Sequence, residues 1–127
     1  MIDHVSVPVR DLALSAAFYD AVLAPLLLRR LVERPATVGF GKAYPEFWLN
    51  LRPGLPAAPA DTGAHVCLRA PDVAAVEAFH TAALHHGGRS DGAPGPRQAA
   101  MTEYFGAFIR DPDGNKIEAV TFPRPSA

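Results

Sequence analysis

Disulfides, membrane spans and a surface dominated by one charge are all missing from this chain, and each absence narrows what it can be. The single cysteine, Cys67, excludes an intrachain disulfide and fits a reducing compartment. No apolar run is long enough to span a bilayer, and no basic-then-apolar leader opens the sequence. The expectation is a cytoplasmic protein with no membrane partner. Twelve Lys and Arg stand against thirteen Asp and Glu, giving a net charge of −1, and only Arg29–Arg30 forms a basic pair. That balance argues against nucleic acid as a partner. What remains is ordinary globular material: 127 residues, 49% hydrophobic, enough for one domain with one core.

The chain then says the same thing twice. HVSVPVRDLALSAAFYDAVL from His4 lies over HVCLRAPDVAAVEAFHTAAL from His65 without a gap, at an offset of 65 − 4 = 61. The pairs His4/His65, Asp11/Asp72 and Phe18/Phe79 carry the match, because the alanine pairs count for little in an Ala-rich chain. A fixed-period repeat means two copies of one supersecondary unit. It makes His4 and His65 symmetry mates that can face a shared centre.

Each copy reads β-α-β-β-β. Ile2 to Pro8 alternates as a half-buried strand. Asp11 then caps a helix carrying Leu14, Phe18 and Val22, which runs to Leu23 and is stopped by Pro25. Leu27–Glu33, Thr37–Lys42 and Phe47–Leu51 read as strands. The Pro/Ala/Gly-rich stretch of about 54–62 links modules of about 1–53 and 63–123, within a single domain spanning 1–127. In the second copy Ala64–Arg69 is a strand. Asp72 opens a helix carrying Val76, Phe79, Ala83 and Leu84, ended by Gly87-Gly88. Arg89–Arg97 reads as an irregular strand or a loop. Glu103–Arg110 and Asn115–Phe122 are strands, joined by the turn Asp111-Pro112-Asp113-Gly114. Phe18, Phe79, Val22 and Leu84 are assigned to the core. The fold class is α+β: two tandem βαβββ modules forming a curled, mostly antiparallel eight-stranded sheet, with helices on its outer face.

Three segments carry a resemblance: IDHVSVPVRDLALSAAFYDAVL, HVCLRAPDVAAVEAF and FGAFIRDPDGNKIEAV. Together they resemble the vicinal oxygen chelate superfamily, which includes glyoxalase I, bleomycin- and fosfomycin-resistance proteins and extradiol dioxygenases. The resemblance implies metal ligands on the first and last strands of each copy. Carried over, these are His4, His65 and Glu118. The matching strand of the first copy, Phe47–Leu51, offers only Trp48, Leu49 and Asn50 where glyoxalase I has a carboxylate. Two imidazoles and one carboxylate leave coordination positions open, and suit a divalent Fe, Mn, Zn or Ni ion that polarises a chelated substrate or acidifies a water. The resemblance also implies a homodimer, and in some members a site formed across chains.

Departures from the pattern matter as much. The dioxygenase and fosfomycin types place a tyrosine ten residues before the ligand Glu; here that position is Phe108 (118 − 10 = 108). Tyr104 and Glu103 precede the same strand and are candidate catalytic residues. Trp48, Phe108, Tyr104 and Phe105 are candidate cleft walls, and Arg97 is the one basic residue noted near the site. Each functional reading has a plainer rival. Taken singly, His4 and His65 fit polar residues on an exposed sheet face, and Glu118 fits a solvent-facing or paired carboxylate. Asp111 and Asp113 fit turn residues better than ligands. His80, His85 and His86 fit a helix surface and C-terminus, and Cys67 fits a small apolar filler. The sequence therefore predicts a divalent-metal-dependent enzyme acting on a small oxygen-chelating molecule. The alternative is a metal-free binding protein of the bleomycin-resistance type.

Overall fold

In a computed structural model that describes residues 1–123, the two copies fold as two four-stranded mixed sheets sharing one core. The first module contains β1 (Val5–Val9), α1 (Leu12–Leu23), a one-turn 3-10 helix (Ala24–Leu26), β2 (Arg29–Arg34), β3 (Thr37–Gly41) and β4 (Pro45–Leu51). The second contains β5 (Val66–Arg69), α2 (Val73–His85), β6 (Arg89–Gln98), β7 (Glu103–Arg110) and β8 (Lys116–Thr121). Sheet orders are β1-β4-β3-β2 and β5-β8-β7-β6. In each, the first and last strands of the module pair in parallel and the other neighbours run antiparallel. The eight strands thus divide between two sheets, because the first strand of each copy closes on the last strand of its own copy. Residues 124–127, the end of the expected domain, lie outside the described residues.

The repeat is visible in the local chemistry. Asp11 accepts a hydrogen bond from the Leu14 amide (3.0 Å), and Asp72 accepts one from the Ala75 amide (2.8 Å). Each thereby satisfies one of the free amides at its helix start. In α1 the buried positions Ser15, Phe18, Tyr19 and Val22 recur at helical spacing, and in α2 so do Ala75, Val76, Phe79, His80 and Ala83. Leu84 falls one position past that stripe and is half exposed, so it is not core. His80, expected on the surface, lies on the stripe instead. It is buried, with Nε2 2.8 Å from the Ser90 hydroxyl on β6. Pro25 ends α1 by turning the chain through the 3-10 segment, and Leu27 takes the left-handed cap conformation at φ 64°.

Arg89–Arg97, read from sequence as irregular strand or loop, is a strand paired along β7 and interrupted by register shifts between Ser90, Gly92 and Gly95. Bulges of this kind absorb the Gly and Pro residues that weaken a strand signal.

The DPDGN turn stitches the modules together. The Asp111 carboxylate, almost fully buried, accepts from the Tyr19 hydroxyl (2.6 Å), the amides of Asp113 and Asn115 (both 2.9 Å) and the Asn115 side chain (2.8 Å). The Asn115 amide group also donates to the Pro8 carbonyl at 2.9 Å, and Arg10 pairs with Asp113 at 2.9 Å. Tyr19, Pro8 and Arg10 belong to the first module, so this turn is a structural bolt. The sequence reads Asp111 and Asp113 as turn residues only; the link between modules comes from the structure.

Candidate functional site

Alternation along each strand decides what faces the core. On the second sheet Val66, Leu68, Ile117, Ala119, Phe105, Ala107 and Ile109 face the core. The intervening residues take the other face. These are His65, Cys67 and Arg69 on β5 and its approach; Lys116, Glu118 and Val120 on β8; and Tyr104, Gly106, Phe108 and Arg110 on β7. Register then sets Cys67 beside Glu118 on one side and Phe108 beside it on the other.

Glu118 is the centre of this face. Its side chain is only 6% exposed although it stands opposite the core, whereas that of His65 is 40% exposed. A carboxylate sunk this far requires polar partners, and it has them. The Tyr104 hydroxyl donates to Oε2 at 3.0 Å, and His65 Nε2 lies 3.2 Å from Oε1. Tyr104 reaches Glu118 from four residues before Phe108 by lying over Gly106: a β-carbon there would come within 2.9 Å of the phenol ring. The Phe108 ring meets His65 edge-on at a centroid distance of 5.8 Å. Burial and the Glu118 carboxylate together push the Tyr104 phenol above its ordinary value. Cys67 is pushed up to about 12, first by burial and then by the negative charge of Glu118, so its thiol stays protonated at neutral pH.

His65 and Glu118, both named from sequence, are therefore brought together. His4 is not joined to them within the chain. It is exposed, and its Nδ1 bonds to Asp3 at 2.7 Å, while the Tyr44 hydroxyl donates to the same carboxylate oxygen at 3.1 Å. His4 first, and Tyr44 second, hold the Asp3 carboxyl below its usual value. His4 and His65 do line one open cleft of about 410 Å³ between the starts of β1 and β5, with Ile2, Glu46 and Cys67. Among the described residues, no three His, Cys, Asp or Glu side chains are grouped to hold one metal ion. Of the three residues named from sequence, a single chain brings together two, His65 and Glu118.

The first module explains the asymmetry. Ser6 pairs with Trp48 as Cys67 pairs with Glu118, so Trp48 occupies the position equivalent to the carboxylate. Its ring covers Gly39, where a β-carbon would approach to 2.9 Å. One half of the repeat carries the polar centre and the other carries an apolar plate. Glu103, the other candidate, is exposed and alternates to the face opposite Tyr104. The contact between Tyr104 and Glu118 is what sequence reasoning missed. Its signal was there in Tyr104-x-Gly106-x-Phe108, a period-two run with a bare residue for the ring to cross.

Comparison with known proteins agrees with this architecture. Residues 1–119 match the model of the Glyoxalase/Bleomycin resistance protein/Dioxygenase superfamily. A glyoxalase/bleomycin resistance protein from Albidiferax ferrireducens is similar in structure, with a TM-score of 0.83 and 33% identity, over 93% of this chain and 96% of that one. Glyoxalase I from Zea mays is similar at a TM-score of 0.73 and 25% identity, over 93% of this chain but only 44% of the maize chain. A glyoxalase/bleomycin resistance protein/dioxygenase family enzyme from Burkholderia phytofirmans shares the fold at 15% identity and a TM-score of 0.71, over 96% and 98% of the two chains. No curated protein matches the chain in sequence. With its duplicated βαβββ modules and a family match over nearly its whole length, the chain belongs to the glyoxalase/bleomycin resistance/dioxygenase superfamily.

Proposed function

We propose that the protein is a divalent-metal-dependent enzyme of the glyoxalase/dioxygenase type that acts in the cytoplasm on a small oxygen-chelating substrate. In this reading His65 and Glu118 are metal ligands, and the third is His4 of a second copy in a homodimer. The supporting observation is the buried Glu118 with His65 Nε2 3.2 Å from Oε1 on the open face of the second sheet. A chain that brings His65 and Glu118 together but leaves His4 bonded to Asp3 has the donors of a site completed by a second copy.

A divalent ion bound there supplies polarisation of a substrate oxygen or an acidified water. The rest is the work of this chain. The Tyr104 hydroxyl, donating to Oε2, fixes the carboxylate rotamer and leaves Oε1 beside His65. Phe108 supports the imidazole edge-on. Cys67, held as a neutral thiol, adds no competing negative charge. With Phe108 in the position that some relatives fill with tyrosine, Tyr104 is the phenol nearest the centre, its single O–H committed to Glu118 Oε2.

One observation favours the second reading, a metal-free cleft that sequesters a small molecule: both oxygens of Glu118 already have partners within the chain. Metal analysis of the purified protein after reconstitution separates the two. The enzyme reading expects stoichiometric Fe, Mn, Zn or Ni that is lost in His65→Ala. Absence of bound metal in the parent protein would overturn it.

A further inference from the structure

The open face of the second sheet carries two arginines that its other chemistry does not use. Arg97, on β6, is half-buried and pinned: Nη2 donates to the Ala93 carbonyl at 2.6 Å and Nη1 to the Pro96 carbonyl at 3.2 Å. Its guanidinium lies on bare backbone. A β-carbon on Gly95 would stand 3.2 Å from Nη1, and one on Gly92 would stand 3.4 Å from Nη2 and 3.0 Å from the Phe108 ring. Gly92 pairs with Phe108, and Phe108 with Glu118, so the folded-back guanidinium sits in the row that contains the buried carboxylate. Arg69 stands two residues along β5 from Cys67, with its guanidinium 4.7 Å from the Phe122 ring centroid. Phe122 in turn packs 6.0 Å from Tyr104.

Arg97 and Arg69 differ in charge compensation from Arg10, Arg30 and Arg110, and Arg97 differs from the other unpaired arginines among the described residues in being held by two backbone carbonyls. Arg10, Arg30 and Arg110 each face a carboxylate at ion-pair distance. Among the described residues, Arg97 and Arg69 face none. Lys116 on the same face shares Asp91 with Arg110, at 3.2 Å and 3.0 Å. Carbonyl partners orient a guanidinium without neutralising it. A fixed, unneutralised guanidinium with free N–H groups is prepared for an oxyanion, because the ordering entropy of its side chain has been spent in advance.

We propose that the ligand of this face is an anion, and that Arg97 receives its oxyanion group. The inference takes this face as the ligand side, as the functional reading above does, but needs no metal. It is therefore tested on chelator-treated, metal-free protein.

Oxalate and methylphosphonate are titrated separately, one for a planar and one for a tetrahedral oxyanion, with the arginine Nε–Hε and backbone amide NMR signals as the readout. A saturable shift at Arg97 Nε–Hε with either anion is expected, and the anion that binds identifies the group. Arg97→Gln should weaken binding about tenfold or more, as loss of a charge-assisted hydrogen bond does, and Arg97→Lys should weaken it less. Arg89→Gln, which removes the same charge at the opposite end of β6, should leave binding unchanged. A dispersed spectrum verifies that each variant folds. If Arg97→Gln does not fold, Arg97→Lys carries the same comparison. Absence of a saturable shift at Arg97 with both anions, or unchanged affinity in the folded variants, would overturn the proposal. Metal content separates the two readings: Arg97→Gln should keep the metal that His65→Ala loses.

Discussion

Cys67 offers the sharpest chemical probe of the centre, because it is exposed yet its thiol is pushed up to about 12. A free cysteine thiol ionises at about 8.5. At pH 8 a thiol at about 12 is ionised only to ~10⁻⁴, some three orders of magnitude less than a free cysteine. Part of that deficit is returned, because thiolate nucleophilicity rises with pKa with a coefficient of about 0.4–0.5. Between about 8.5 and about 12 this restores roughly one and a half orders, leaving attack on an aromatic disulfide reagent on the order of a hundredfold slower than for free cysteine. In chelator-treated protein the logarithm of the rate should climb with pH without levelling at pH 8–9. Glu118→Gln removes the carboxylate's charge but not the burial, which is the larger cause. The variant should therefore react faster than the parent and still slower than free cysteine. A plateau near pH 8.5 in the parent, or no acceleration in Glu118→Gln, would refute the picture of a neutral thiol held beside a buried carboxylate.

Two further outcomes test the fold that positions the site. Tyr19→Phe removes a donor at 2.6 Å from the buried Asp111 carboxylate. It should lower stability by about 1–3 kcal/mol in urea denaturation, and a loss under about 0.5 kcal/mol would mean that Asn115 and the turn amides suffice. Burial lowers the pKa of His80 below its ordinary value. The folded state therefore favours the neutral ring: its contribution is complete above the unfolded value of about 6.5 and is lost as pH falls through the depressed folded value. Comparing denaturation midpoints at about pH 7.5 and 5.5, His80→Gln should lose less stability than the parent on acidification; an equal loss would remove His80 from the account.

Much of the architecture was legible because the repeat fixed it twice over. Asp11 and Asp72 cap helices as read, and Glu103–Arg110 is a strand over the expected residues. The elements left open or misread share a physical cause: local signals were overridden by tertiary pairing. Arg89–Gln98 is strand because β7 pairs with it through bulges that no propensity encodes. His80 is buried, and Leu84 exposed, because the angle at which α2 docks selects the stripe. At the site, period-two alternation predicts that Glu118, Cys67 and His65 share a face. It does not say that Tyr104 crosses Gly106 to reach the carboxylate, since that depends on side-chain direction. Nor does it reveal the pinning of Arg97, which requires the bulged strand to return its carbonyls to the guanidinium. The division of eight strands into two sheets likewise follows from which edges close, a choice the strand pattern leaves open.

The central claim is that ligands from two copies of the chain meet at one centre, and mixing subunits tests it most directly. His4→Ala and Glu118→Gln variants, each expected to bind no metal alone, are unfolded together, refolded and reconstituted. Random pairing puts half the dimers in the mixed form, each with one intact site, so about a quarter of all sites should recover metal. Recovery near that fraction is the predicted result. Zero recovery from a mixture that forms dimers, or full metal content in His4→Ala alone, would contradict a centre shared between subunits.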